Sequence, residues 1–371
     1  MRKLVAALSA CLLCASLSVR TSAALAQGSI VYHDAREFPL YGRTVRTDTP
    51  NHPFGRLPES MEGTIRDPLW RLGCNSSGLY IRFRSDATEI FAKWTNTGNH
   101  MPHMTDCGTG GLDLYAHIDG KWRYVGSGFN WGELTSSHEC RMVGYMESEM
   151  REYMLYLSLY DEVKTLEIGI PEGCVIEQPV LKSPSDANPI VMYGTSILQG
   201  GCASRPGMAF TNIIARRFDV TVVNLGFSGS ANLDYEIAEL MASAESPSVF
   251  VLDYVPNAKP KEIEEKGERF FRIIRDAHPD VPVIFVEDPI FSHSIVNQAM
   301  ATEIRTKNSA QKALYQRLKK SGEKKIHYVP AEGMTGQDGE AFVDGVHLTD
   351  LGMLRYSDHI DKTLKKALRQ R

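Results

Sequence analysis

The chain has 371 residues, a formal net charge of −4, 43% hydrophobic residues and 23% charged ones. That length predicts two domains. The small, dispersed charge lacks the basic stripe of a nucleic-acid binder, and no stretch beyond the N-terminus is long and apolar enough to span a bilayer.

Arg2 and Lys3 precede an apolar run from Leu4 to Val19, and Ala24-Leu25-Ala26 follows. Charged, then apolar, then small residues predict a secretory leader over residues 1–26, cleaved after Ala26. The mature protein is then periplasmic or extracellular. A membrane anchor is disfavoured by the short apolar run. A lipoprotein site at Leu8-Ser9-Ala10-Cys11 leaves even less apolar length before its cysteine. Five cysteines follow the leader: Cys74, Cys107, Cys140, Cys174 and Cys202. An odd count implies at least one free thiol or an outside partner. The compartment allows one or two disulfides, and without a C-x-x-C pair no thiolate zinc site is expected.

From about residue 30 to 185 the chain reads as strands: LYIRFRS, EIFAKWT, LDLYAHID, KWRYVGSG, EYMLYLSLY and TLEIGI. They often alternate apolar with polar residues and are separated by turns such as Ser76-Ser77-Gly78 and Asp119-Gly120. This predicts an antiparallel β-sandwich over residues 27–183 with no long helix. Trp94, Trp122, Tyr124 and Trp131 either stack on sugar rings or fill a core, and period-2 burial favours the core. KSPSDANP, residues 182–189, reads as a linker.

Beyond it the rhythm changes. IVMYG, VTVVNLGF, SVFVLDYV, VPVIFVED and IHYVPA are nearly continuous apolar runs, as in strands buried on both faces of a parallel sheet. Helical spacing falls between and after them, at about 207–218, 234–244, 260–278, 298–321 and 350–369. Residues 184–371 are therefore expected to form a three-layer α/β domain with a five-stranded sheet. Ligands gather at the carboxyl ends of such strands.

Ser196 follows Gly194 at the end of the first of these strands. Gly226 and Gly229 follow the second, and Asn257 follows Pro256 after the third. Each alone reads equally as a turn residue. Asp344 and His347, in FVDGVHLTD, are harder to explain as packing. Three residues apart in a helical turn, they share a face, so the carboxylate can fix the imidazole tautomer and leave the other nitrogen free as a base.

In order and placement the four blocks resemble the SGNH (GDSL-like) hydrolases: Ser196, Gly229, Asn257 and His347, with Asp344 matching the acid of the D-x-x-H block. GGLDLYAHIDGKWRYVGSG and MPHM resemble the sandwich ahead of some secreted members, and GTSILQGGCASRPGMAFTN looks like the subgroup carrying it. The resemblance implies a flavodoxin-like α/β/α domain and a Ser196–His347–Asp344 triad. It also implies an oxyanion hole from the Ser196 and Gly229 N–H groups and the Asn257 amide, and chemistry without metal or cofactor. Two departures stand out: G-T-S-I replaces G-D-S-L, and Val255-Pro256-Asn257-Ala258 replaces G-x-N-D.

Gln199, Arg205 and His103 are the expected substrate contacts, with an ion pair as the commoner fate of Arg205. Asp253, Glu287 and Asp288 are assigned to structural hydrogen bonding. The implied function is a secreted esterase that deacetylates a polysaccharide, its partner being an acylated glycan. A lipid or thioester hydrolase, or a glycan-binding protein on a degenerate hydrolase scaffold, are the alternatives.

Overall fold

The computed structural model describes residues 29–44, 49, 51–130 and 135–370. The expected leader at 1–26 and Trp131 lie outside them.

The first half supplies β1 (Ile30–Asp34), β2 (Leu40–Tyr41), β3 (Tyr80–Ser85), β4 (Ile90–Asn96), β5 (Leu112–Ile118), β6 (Lys121–Gly128), β7 (Ser137–Val143), β8 (Arg151–Tyr156), β9 (Val163–Pro171) and β10 (Ile176–Glu177). They form two antiparallel sheets, ordered β1-β9-β4-β7 and β10-β3-β8-β5-β6, with β2 also on β3. Ile81, Phe83, Trp94, Leu112, Leu114, Leu155 and Ile168 fill one core from both sheets. Trp94 is fully buried there, its indole N–H donating to the Gly110 carbonyl at 3.1 Å.

The sheet containing β3 is covered on its outer face as well. Tyr80, Tyr115, Met154 and Tyr156 form a second apolar layer. Arg216 of the second half lies 4.4 Å from the centre of the Tyr115 ring, and the Tyr80 hydroxyl meets Thr221 Oγ1 at 2.8 Å. This half has no long helix among the described residues, and two short ones occur, α1 (Asp67–Cys74) and α2 (Asp106–Thr109). Pro68 suits the first turn of α1, where an N–H has no partner to lose. Leu57, Ile65 and Leu69 of this region enter the core of the second half.

The second half has five parallel strands: β11 (Ser185–Gly194), β12 (Val220–Gly226), β13 (Val249–Asp253), β14 (Val283–Val286) and β15 (Ile326–Val329). Their order, β12-β11-β13-β14-β15, is the flavodoxin-like 2-1-3-4-5 arrangement. β11 begins inside the predicted linker, with Ser185 paired to Val220 and a register shift before Ile190. After the one-turn α3 (Ser196–Gln199) come α4 (Phe210–Phe218), α5 (Tyr235–Ala242), α6 (Pro260–Ala277), α7 (Gln298–Lys320) and α8 (Asp350–Leu368). Helices α5 and α6, with most of the buried side of α7, cover one face of the sheet, and α4 and α8 the other. In α6, Ile263, Phe270, Phe271 and Ile274 fall on one helical stripe and are fully buried. Burying each contributes about 1.5–3 kcal/mol.

Strand order reverses between β11 and β13, which opens a crevice at their carboxyl ends. Ser196 and Asn257 stand on its two sides. Among the described residues no helix is long and apolar enough to cross a membrane.

Candidate active site

Ser196 opens α3 directly after β11. A Cβ on Gly194 would lie 2.6 Å from the Asp253 carbonyl oxygen and 2.9 Å from Leu198 Cβ, so only glycine allows the turn. Thr195 caps α3, its hydroxyl accepting from the Ile197 N–H at 3.3 Å. The residue that departs from G-D-S-L thus fills the capping place a carboxylate also suits. Gly201 N–H, at 2.7 Å, and the Tyr160 hydroxyl, at 3.1 Å, both donate to the Ser196 carbonyl. Tyr160 comes from the first half, so both halves hold the serine turn.

His347 Nε2 lies 2.9 Å from Ser196 Oγ, and His347 Nδ1 lies 2.7 Å from Asp344 Oδ2. The expected helical turn is absent: residues 343–347 form a tight turn closed by the Phe342–Leu348 bridge. Asp344 Oδ1 accepts from the Val346 and His347 N–H groups at 3.0 and 2.8 Å. The carboxylate therefore organises the turn that presents the imidazole. Burial alone would raise this carboxyl. Hydrogen bonds from the His347 ring and from the His347 and Val346 N–H groups prevail and hold it at about 2.

Gly229 adopts φ +64°, left-handed backbone that favours glycine, and is exposed. Asn257 Oδ1 accepts from the Ala231 N–H at 3.3 Å, which leaves Nδ2 as the donating end of the amide. Ala258, the other departure, is buried in the apolar core. Arg56, missed by the sequence reading, is buried beneath this edge. It donates to the Asn224 and Gly226 carbonyls at 2.9 and 2.8 Å and so fixes the end of β12. Burial lowers its guanidinium to about 10.

Two of the three expected substrate contacts face elsewhere. Gln199 is fully buried; Nε2 donates to Asn75 Oδ1 and the Leu159 carbonyl, and Oε1 accepts from the Ser228 N–H. It joins the halves because a buried amide must satisfy both its ends. Arg205 donates to Asp113 Oδ2 and the Tyr115 hydroxyl, each at 2.7 Å. Its guanidinium is spent on the fully buried Asp113 carboxylate, which also accepts from the Gly207 N–H and the Ser127 hydroxyl. His103 does reach the site from the first half, its ring centre 5.3 Å from that of His347. Asp253 accepts from the Tyr356 hydroxyl at 2.8 Å, Glu287 from Tyr328 at 2.6 Å, and Asp288 sits 3.7 Å from Lys307 Nζ.

Residues 187–365 match the GDSL-like Lipase/Acylhydrolase family, and residues 30–176 match the GxDLY domain, the N-terminus of SGNH-hydrolase-type esterases. The Asp and Tyr of the G-x-D-L-Y signature are Asp113 and Tyr115, the two groups that grip Arg205. Among solved structures, one described as a GDSL-like lipase from Bacteroides ovatus ATCC 8483 is 34% identical, with a TM-score of 0.86 over 92% of this chain and 98% of that one. A salicylyl-acyltransferase from a tetracycline biosynthetic pathway is 15% identical (TM-score 0.71; 92% and 98% covered). A family two carbohydrate esterase from Cellvibrio japonicus is 12% identical (TM-score 0.58; 92% and 99% covered). These two share the fold. Among curated proteins none matches the sequence. With both halves matched and the first of these structures aligned along nearly its whole length, the chain belongs to the GDSL-like (SGNH) family of ester hydrolases, in the form that carries a GxDLY domain ahead of the hydrolase domain.

Proposed function

We propose that the protein is an exported serine esterase that removes O-acetyl groups from a polysaccharide. The observation that carries the chemistry is the hydrogen-bonded chain from Ser196 Oγ through His347 to Asp344, with both links under 3 Å. With Nδ1–H donated to Asp344, Nε2 keeps its lone pair and accepts the Ser196 proton as Oγ attacks the ester carbonyl. Asp344 stabilises the imidazolium that forms. The N–H groups of Ser196 and Gly229 and Asn257 Nδ2 are the proposed donors to the oxyanion, each contributing about 3–4 kcal/mol of transition-state stabilisation. His347 then protonates the leaving alcohol, and water repeats the cycle on the acyl-enzyme.

The glycan reading draws support from the surface that reaches Tyr160, the residue whose hydroxyl holds the Ser196 carbonyl. A groove of about 700 Å³ is lined by Arg71, Asn75, Thr97, Asn99, Ser228 and Ser230, among others. Both halves contribute to it, it flanks Gly229, and its side chains are mostly polar, which suits a hydrated sugar better than a long acyl chain. Family two carbohydrate esterases share the fold.

The test is acetate release from a panel of acetylated plant and host polysaccharides, with Ser196→Ala as the inactive control. Acetyl and octanoyl esters of one chromophore separate the lipid-hydrolase alternative: a preference for octanoyl rejects deacetylation. A serine-reactive phosphonate that leaves Ser196 unlabelled would favour a binding protein.

A further inference from the structure

We propose that the serine site is also an inhibitory site for a borderline transition-metal cation, with Zn²⁺ as the probe, held by His103, Cys202, Asp344 and His347. The inhibitory half rests on His347 acting as the base; the binding half stands without it. One ring nitrogen of each histidine, Cys202 Sγ and one Asp344 carboxylate oxygen all lie within 4.8 Å of one another. Two imidazoles, a thiol and a carboxylate are the mixed N, S and O donor set that zinc takes in tetrahedral sites. Metal–ligand bonds of about 2.0–2.3 Å place neighbouring donor atoms about 3.3–3.8 Å apart in a tetrahedron. The observed span closes to that size by side-chain movement of about 1 Å.

The deacylation chemistry uses neither Cys202 nor the neighbouring His103. Cys202 nevertheless sits at φ +66°, a left-handed backbone conformation uncommon for a residue with a side chain. Its thiol donates to the His103 carbonyl at 3.2 Å, bringing the sulfur under the loop that carries that histidine. Among the described residues, Cys202 is a free thiol. His103, His347 and Asp344 are all at least partly exposed, so a hydrated cation can enter from solvent.

Coordination removes catalysis by proton arithmetic. A neutral imidazole has one free lone pair. If the cation takes Nε2, that nitrogen is blocked. If it takes Nδ1, the ring proton moves to Nε2, which can then only donate to Ser196 Oγ. Cys202 binds as the thiolate and releases its proton to solvent, while Asp344 binds as the carboxylate it already is. Hard cations that prefer all-oxygen shells, Mg²⁺ and Ca²⁺, do not suit this set.

Two readouts on the full chain test the proposal. Co²⁺ added to the reduced protein should give tetrahedral cobalt bands and a thiolate-to-cobalt absorption. Cys202→Ser should abolish the thiolate absorption, and Ser196→Ala should keep it. In micromolar Zn²⁺, turnover of an activated ester should fall at least tenfold, and the same concentration of Mg²⁺ should leave it unchanged. Expressed against each protein's own metal-free turnover, Cys202→Ser should raise the half-inhibiting Zn²⁺ concentration at least tenfold, and His103→Ala should do likewise. An octahedral cobalt spectrum without a thiolate band, or equal zinc inhibition of wild type and Cys202→Ser, overturns the site. If the wild type turns over no ester at all, the cobalt spectrum still decides the binding, so failure of the esterase reading is told apart from failure of this one.

Discussion

Two polar clusters meet where the halves join, and they differ in what they leave open. In the Arg205–Asp113–Tyr115 cluster the carboxylate is fully buried and accepts from a guanidinium, a backbone N–H and a hydroxyl. Both oxygens of the carboxylate are engaged, so it holds the halves together. In the Ser196–His347–Asp344 chain the side chains of His347 and Asp344 remain 21% and 33% exposed. In the proposed mechanism the serine proton there has a base in line and a solvent-facing side from which an ester can arrive. The same elementary contacts make a latch when closed and, in the proposed mechanism, a reactive site when one end stays open.

Substitutions separate the two roles. Asp344→Asn should cut kcat about 10⁴-fold, because an amide cannot hold the ring in the required tautomer. The folded protein should persist, since the turn lies at the surface; a loss of only a few-fold in single-turnover assays would break the assignment. Next in size, Asn257→Ala should cost about 10²–10³-fold in kcat with KM nearly unchanged. A change confined to KM would move Asn257 from oxyanion donor to ground-state contact.

The latch should respond in the opposite sense. Asp113→Asn leaves the Gly207 N–H and the Arg205 guanidinium short of an acceptor in a buried place, at a cost of about 1–3 kcal/mol of stability. Urea denaturation measures that loss. Turnover per folded molecule should fall far less than in Asp344→Asn. Turnover loss matching that variant, with no change in stability, would erase the distinction between the clusters.

How much of this was legible in the sequence follows from how local each signal is. The strands of the second half and helices α4–α8 announce themselves by continuous apolar runs and by 3.6-residue spacing, and their ends fall within a few residues of the reading. Asp344 and His347 were findable because their partners are three residues apart, although the turn that joins them is an Asp-capped loop and not a helix. Gln199 was misread because its partners lie 40 and 124 residues away, at Leu159 and Asn75, and no local pattern says which way a polar side chain beside Ser196 turns. Arg205 makes the ion pair expected as its commoner fate, but its partners Asp113 and Tyr115, 92 and 90 residues away, could not be named from the sequence. Arg56 and Tyr160 were invisible for the same reason: each acts across the boundary between the halves. Strand β3 shows the limit from the other side. The alternation of apolar and polar residues along it does not say which face is covered, and both Tyr80 and Arg82 are buried: the second half meets Tyr80 through Thr221, and Arg82 packs under Tyr41 and Trp122.

The smallest effect concerns acid. Asp344 sits at about 2 in the folded chain, below the ordinary carboxyl value of about 3.9. A carboxyl depressed by folding stabilises the fold above its unfolded value, and that contribution is lost as pH falls through the folded one. The stability advantage of the wild type over Asp344→Asn should therefore be full at pH 5 and shrink steadily towards pH 2. Partial exposure of the group keeps it modest. Arg205 offers the contrast: burial works against its guanidinium, but its neighbours Asp113 and Tyr115 together prevail and raise it above its ordinary value, so it does not titrate in that range. Urea midpoints of both proteins at half-unit pH steps measure the gap. A gap that stays constant from pH 5 to pH 2 would mean that the bonds to the His347 ring and to the Val346 and His347 N–H groups do not hold this carboxyl down, and the open cluster would lose the electrostatic feature that sets it apart from the latch.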